Sequence, residues 1–388
     1  MIYSVLVLSD GFRGPFLWPI YKSYGINDHE IYIMYAITFF SSAIFSSISG
    51  DMADRWSKSY TLALACIIDG ISCLARFSTN LNILMVGHVL SGISFCTLFP
   101  TLESWMIEKH EKAEYSQSQL QQTLAATSLF FGLVEICCGI GANLISDYYG
   151  YSSLLYLSAI FMIISFKLIL NYDSPENQQT IRVKKTEFES TPTNTPNLMI
   201  IGLMQAGFEI LLTVFISIWA PAIGKATKGN ANYGYIFSSF MVSVMIGSKI
   251  YSFLSRKLSD NLISSITFGV SMASMMVCGI FSDSALMLML AFNLFEISFG
   301  IYMPCIGSLR SKLLPPDRRT YLMNVLKIPI YAVGAIAFVF MNDIEQLGSH
   351  IIWFALAGLA LISLIASVFL EAKSKYVLLP MASVSSIE

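Results

Sequence analysis

The sequence predicts an all-α membrane protein whose twelve transmembrane helices form two six-helix halves, and three observations carry that reading. Of 388 residues, 55% are hydrophobic and 12% are charged, with a mean hydropathy of +0.64. Soluble domains carry about 25% charged residues, so this chain has too little charge to cover a water-facing surface. Its apolar residues come in runs of about 20, the length that crosses a hydrocarbon core. The runs fall into two sets of six on either side of one long polar stretch, residues 172–197.

In order, the runs cover residues 2–22, 30–49, 59–78, 82–106, 122–146, 152–171, 198–222, 233–254, 262–281, 285–309, 321–341 and 351–370. The first has no basic segment before it and is interrupted by Asp10 and Arg13, so it reads as a span and not as a cleaved leader. Its abrupt start leaves room for a segment upstream. Residues 172–197 hold Pro175, Pro192 and Pro196 among Ser, Thr, Asn and Gln, a composition too polar to bury a core, and read as a linker. The expected organisation is a first half at 1–171, a cytoplasmic linker at 172–197, a second half at 198–371 and a cytoplasmic tail at 372–388. With residue 1 in the cytoplasm, fifteen of the 23 Lys and Arg residues fall in cytoplasmic loops or the tail, against Lys22, Arg76, Lys225 and Lys228 on the opposite side. The positive-inside rule therefore places both termini in the cytoplasm.

The halves resemble each other. Residues 92–104 align with residues 296–308 so that Ile93/Ile297, Ser94/Ser298, Phe95/Phe299, Pro100/Pro304 and Ser104/Ser308 coincide, at an offset of 204. These are spans four and ten, which a six-plus-six duplication pairs, and Arg55 and Arg256 follow spans two and eight in the same way. Two parallel six-helix halves around a central cavity are a plan used by membrane transporters.

Other functions find little support. The net charge is −2 and no basic block points to nucleic acid. The seven cysteines lie inside predicted helices without CxxC spacing and read as packing residues. No P-loop, HExxH, nucleophile elbow or metal-ligand cluster is present, so neither an enzyme nor a cofactor or metal is expected.

The loop after span two reads Gly50-Asp-Met-Ala-Asp54-Arg55-Trp-Ser-Lys58. It resembles the major facilitator superfamily signature Gly-x-x-x-Asp-Arg-x-Gly-Arg/Lys, with Ser57 where the second Gly usually stands. The chemistry suits the pattern: Gly allows close helix approach, Asp caps a helix N-terminus, and the basic residues stay in the cytoplasm. The resemblance implies the major facilitator fold, with Gly50, Asp54, Arg55 and Lys58 as a conformational latch. Two departures stand out. His88 replaces the Arg of an Arg-x-x-x-Gly pattern in span four, and the Gly-Pro element of span five is absent, Gly139-Ile-Gly141 coming nearest. Within the superfamily, residues 9–22, 102–105, 205–209, 219–221, 235–241 and 300–304 resemble the eukaryotic molybdate-anion transporter family, from span one to span eleven in order. That family often has an additional N-terminal hydrophobic segment. The resemblance implies molybdate uptake at the plasma membrane by alternating access. A permease for a sugar or an organic anion is the runner-up, and a non-transporting solute sensor or scaffold is the rival of another class.

Charged residues inside spans cost about 2.5–3.5 kcal/mol at a helix centre and usually face a cavity or a partner. Asp10 and Arg13 lie three apart on one face of span one and either pair with each other or lend Arg13 to an anion path. Glu209 in span seven, Glu296 in span ten and Glu103 near the inner end of span four are further path candidates. Each carboxylate either meets a cation or backbone donor, or, for Glu209 and Glu296, carries a co-transported proton in the dry interior. Lys327 in span eleven either partners Glu296 or helps bind oxyanion. Asp69 and Glu135 have no obvious partner, and His88 reads as an interhelical hydrogen-bonding residue. The expected partners are thus a small anion, protons and the lipid bilayer.

Overall fold

The computed structural model describes residues 2–172, 195–228, 233–341 and 349–382. Among these, eleven helices are long and apolar enough to cross a membrane. A twelfth segment is broken. It begins as α1 (Ile2–Arg13), passes through a 3-10 turn at Gly14–Phe16 and resumes as α2 (Leu17–Ser23). Helices of 12 and 7 residues are each too short to span, whereas together they cross once. The sequence reading had taken residues 2–22 as one run. Pro15, near the start of the turn, has no N–H to continue an α-helical ladder, and hydropathy does not register that loss.

Spans two to six are α3 (Asp28–Arg55), α4 (Lys58–Ala75), α5 (Leu81–Lys112), α6 (Gln117–Tyr149) and α7 (Ser152–Tyr172). Spans seven to twelve are α8 (Thr195–Ala226), α9 (Tyr233–Leu254), α10 (Asp260–Ile280), α11 (Ala285–Leu313), α12 (Arg319–Val339) and α13 (Ser349–Ala382). The expected linker falls almost wholly on residues 173–194, outside the described residues. The last helix runs on to Ala382, past the position where the tail was expected to begin.

Several helices outrun their apolar stretches. α3 reaches Arg55, α5 reaches Lys112 and α11 reaches Leu313, beyond the ends read from hydropathy at 49, 106 and 309. Backbone hydrogen bonding continues where lipid contact stops, so each extension carries charged side chains on a rigid helix end.

The faces are sorted by solvent. Phe40, Ile44 and Ile48 on α3, and Ile365, Val368 and Phe369 on α13, are exposed apolar residues facing the lipid region. Inside, serines and glycines let helices approach closely. Ser9 and Ser158 exchange hydrogen bonds with each other's carbonyls at 2.8 and 2.7 Å, tying α1 to α7. Ser42 donates to the Gly92 carbonyl at 2.9 Å, tying α3 to α5.

Two seams join the halves, α3 along α12 and α6 along α9. Their chemistry is pseudo-symmetric. Ser46 on span two donates to the Asn324 carbonyl of span eleven at 2.8 Å, and Ser248 on span eight donates to the Ala125 carbonyl of span five. Ser104 and Ser308, matched in the sequence repeat, are both fully buried, and each bonds to the start of the opposite half's seam helix. Thr320 donates to Ser104 at 2.8 Å, and Gln121 donates to Ser308 at 3.3 Å.

Candidate functional site

Three constellations of polar residues lie on or beside these seams. The first is at the end carrying the Gly50–Lys58 loop. Helix α12 starts after Arg318, whose side chain makes no cap hydrogen bond. The Asp54 carboxylate from the other half takes that place, accepting the N–H of Thr320 at 3.3 Å and of Tyr321 at 2.7 Å. A carboxylate at a helix N-terminus meets both the orphan donors and the positive end of the dipole. Gly50 makes this approach possible. A Cβ there would stand 2.7 Å from Tyr321 Cα and 3.0 Å from the Thr320 carbonyl oxygen. Lys58 bridges Asp54 at 3.7 Å and Glu108 at 2.7 Å, and Arg319 pairs with Glu111 at 2.7 Å. Arg55, in contrast, is mostly exposed and pairs with Asp51 at 2.7 Å on its own helix. Ser57, which departs from the family pattern, caps α4 by accepting the Tyr60 N–H.

The second constellation centres on Arg310. Its guanidinium holds Glu103 of the other half through two bonds of 2.7 and 3.0 Å, Glu209 at 3.2 Å and Gln205 at 3.2 Å. Tyr302 donates to Glu209 at 3.0 Å, and Lys327 stands 3.6 Å from Glu209. Two carboxylates thus face two cations. The sequence reading placed Arg310 in a cytoplasmic loop; the extension of α11 carries it inward, where it is 3% exposed. Of the two expectations for Lys327, the pairing with Glu296 does not form: Lys327 meets Glu209. Glu296 is buried and has no ion-pair partner among the described residues.

The third lies within the first half, around a cavity of about 150 Å³. Arg13 pairs with Asp69 at 2.6 Å and with Asp10 at 3.3 Å. Asp69, expected to lack a partner, therefore has one, and it also accepts from Ser94 at 2.7 Å. Helical spacing revealed the shared face of Asp10 and Arg13, but not that α4 brings a second carboxylate across. Arg76 ends α4 and folds back into the bundle at 2% exposure, donating to Ser91 at 2.7 Å. From sequence, Arg76 counts among the cations of the opposite side, near the outer end of the run 59–78. The available signal was His88, the missing cation of span four. His88 bonds to Tyr21 at 2.8 Å and Thr38 at 2.7 Å, and Arg76 brings a positive charge to Ser91, one turn further along α5. Glu135 is buried on α6 against Gly11.

Twelve membrane crossings in two related halves, joined across the seams by polar contacts at the end of one loop, define a membrane transporter of the major facilitator class, an integral membrane protein. The family model MFS_5, described as sugar transporters with 12 TM, matches residues 1–290, and the chain belongs to that family. The resemblance drawn from sequence also holds against named relatives. The molybdate-anion transporter of Xenopus laevis is 25% identical over 353 residues, covering 88% of this chain and 78% of that protein. That of Danio rerio is 21% identical over 381 residues with the same coverage. Among solved structures, the human organic anion transporter MFSD10 (TETRAN) superposes with a TM-score of 0.76 at 11% identity, covering 94% of this chain and 97% of that one. The FucP transporter in its outward conformation gives 0.70 at 12% identity, with 95% and 96% covered. At such identities these two structures speak for the fold alone.

Proposed function

We propose that this protein is a secondary transporter that takes up molybdate across the plasma membrane by alternating access, with both termini in the cytoplasm. The observation that carries the mechanism is the Asp54 carboxylate of one half seated on the N-terminus of α12 in the other. It is a contact between the two halves that rocking can break without unfolding either. The Glu103–Arg310 pair gives a second such contact. Gly50, Asp54 and Lys58 act as the latch in this reading, and Arg55 stays at its edge.

The names of the relatives support molybdate as the solute. The cavity of the first half carries two buried arginines, cationic donors that suit an anion. Glu209 is engaged by Arg310 and Lys327, which leaves Glu296 as the candidate to carry a coupled proton. The test is uptake of labelled molybdate at nanomolar concentration into vesicles holding the purified protein, with excess sulfate or fucose as competitor. Saturable uptake that neither competitor suppresses is expected. Folded protein that accumulates no more label than empty vesicles would remove the substrate assignment.

A further inference from the structure

We infer that the transported oxyanion has its binding site inside the first half, between Arg76 and Arg13, with Ser91 as a neutral partner. This rests on the reading that the solute is an oxyanion and names the residues that would hold it.

The argument starts from an imbalance of donors. A guanidinium carries five N–H donors in a rigid fork. On Arg76, Nη2 donates to Ser91 and the Tyr21 hydroxyl stands close to the guanidinium; the buried Nε and Nη1 make no hydrogen bond, and no carboxylate pairs with Arg76 among the described residues. An uncompensated buried charge is among the more destabilising features a helical bundle can carry. Arg13 differs, because Asp69 and Asp10 already face it. The two arginines and the two aspartates sum to zero, but both carboxylates lie at Arg13, so the positive end of the cavity and its unused donors are at Arg76.

The cavity fits that role. It lies among Asp10, Arg13, Thr38, Arg76, Ser91 and Ser94. Its volume of about 150 Å³ holds several waters, and so also one small tetrahedral anion. Ser91 and Ser94 stand one turn apart on α5 and connect the cations: Ser94 donates to Asp69, the partner of Arg13, while Ser91 accepts from Arg76. The Ser91 hydroxyl keeps its own proton to donate. An oxyanion beside Arg76 would receive charge-assisted bonds from a forked donor, the arrangement suited to tetrahedral anions. Phe39 and Phe95 close the cavity on one side, their rings 6.1 Å apart. Both also pack on Tyr331 of the second half, at 6.3 and 6.0 Å. Rocking of the halves would therefore move the aromatic wall of this site.

The experiment is equilibrium binding of labelled molybdate to the purified full-length protein, with tungstate, sulfate and phosphate as competitors. It compares wild type, Arg76→Gln, Arg76→Lys and the exposed control Lys249→Gln, each checked for monodispersity and unfolding temperature. Arg76→Gln is expected to raise the Kd by about 10- to 100-fold, the loss of one charged hydrogen-bonding partner. Arg76→Lys should fall between it and wild type, and Lys249→Gln should leave the Kd unchanged. If Arg76→Gln does not fold, Ser91→Ala carries the test, since it keeps both charges and should weaken binding several-fold. Wild type that binds molybdate while folded Arg76→Gln, or its Ser91→Ala substitute, binds equally well would overturn the site and leave the transport reading intact. Binding of another oxyanion but not molybdate, abolished by Arg76→Gln, would support the site and remove molybdate. Wild type that binds no oxyanion would sink both.

Discussion

Replacing Asp54 with Ala removes the acceptor that the first half places on the N-terminus of α12. Two backbone N–H groups lose their partner, Thr320 at 3.3 Å and Tyr321 at 2.7 Å. Hydrogen bonds to a charged group contribute about 1.5–3 kcal/mol each when well formed, and the longer of these two counts for less. Lys58 keeps Glu108 at 2.7 Å, so its charge is not stranded. A net loss of about 2–3 kcal/mol follows, a shift of roughly 30- to 160-fold in the equilibrium between joined and separated halves. Pulsed electron-spin distance measurements read this shift directly, with labels at the exposed Trp56 of the first half and Phe253 of the second. Asp54→Ala should add a longer-distance component that wild type lacks, and Asp54→Asn, which keeps an acceptor but no charge, should lie between. A folded Asp54→Ala protein with the wild-type distance distribution would refute the reasoning, because the carboxylate would then contribute nothing to holding the halves together.

Three further outcomes can be checked. Gly50→Ala puts a methyl group 2.7 Å from Tyr321 Cα, where only a backbone shift relieves it, so the same label pair should report separation even though Asp54 is intact. Arg310→Gln strands Glu103 and leaves Glu209 with Lys327 and Tyr302 alone, and breaking a buried pair costs about 3–5 kcal/mol. The unfolding temperature of the detergent-solubilised protein should fall, and adding Glu103→Gln should recover part of the loss; an additive double variant would show the pair to be uncoupled. Ser158→Ala deletes the bond its hydroxyl donates to the Ser9 carbonyl while the Ser9 hydroxyl keeps the Ser158 carbonyl, and should cost about 1 kcal/mol of stability while molybdate affinity stays unchanged.

The span count, the broken symmetry of charge between loops and the Gly50–Lys58 signature were legible because each is a local property of the chain. Hydropathy over about 20 residues reports the solvent a helix meets, and the match of residues 92–104 with 296–308 reports the duplication. Reading Gly50 as a close-approach residue and Asp54 as a helix cap also followed from chemistry alone, although nothing local to the loop indicates that the capped helix lies in the opposite half. The members of the charged clusters were not legible in the same way. Arg310 lies just past an apolar run and Arg76 near the outer end of one, so neither reads as a buried cation. Helical continuation and a folded-back side chain put both inside, at 3% and 2% exposure.

The sequence by itself therefore determined that this chain lies in a membrane, how often it crosses, and which residues carry charge too costly to leave facing lipid. Only the tertiary structure decided the pairing: Arg13 with Asp69, Lys327 with Glu209, Glu103 with Arg310 across the halves, and Arg76 with no carboxylate among the described residues. The physical reason is one of range. Burial and helical periodicity act within a single segment, whereas an ion pair depends on which of twelve helices stands alongside and at what height, and that is set by packing along the whole length of the seams.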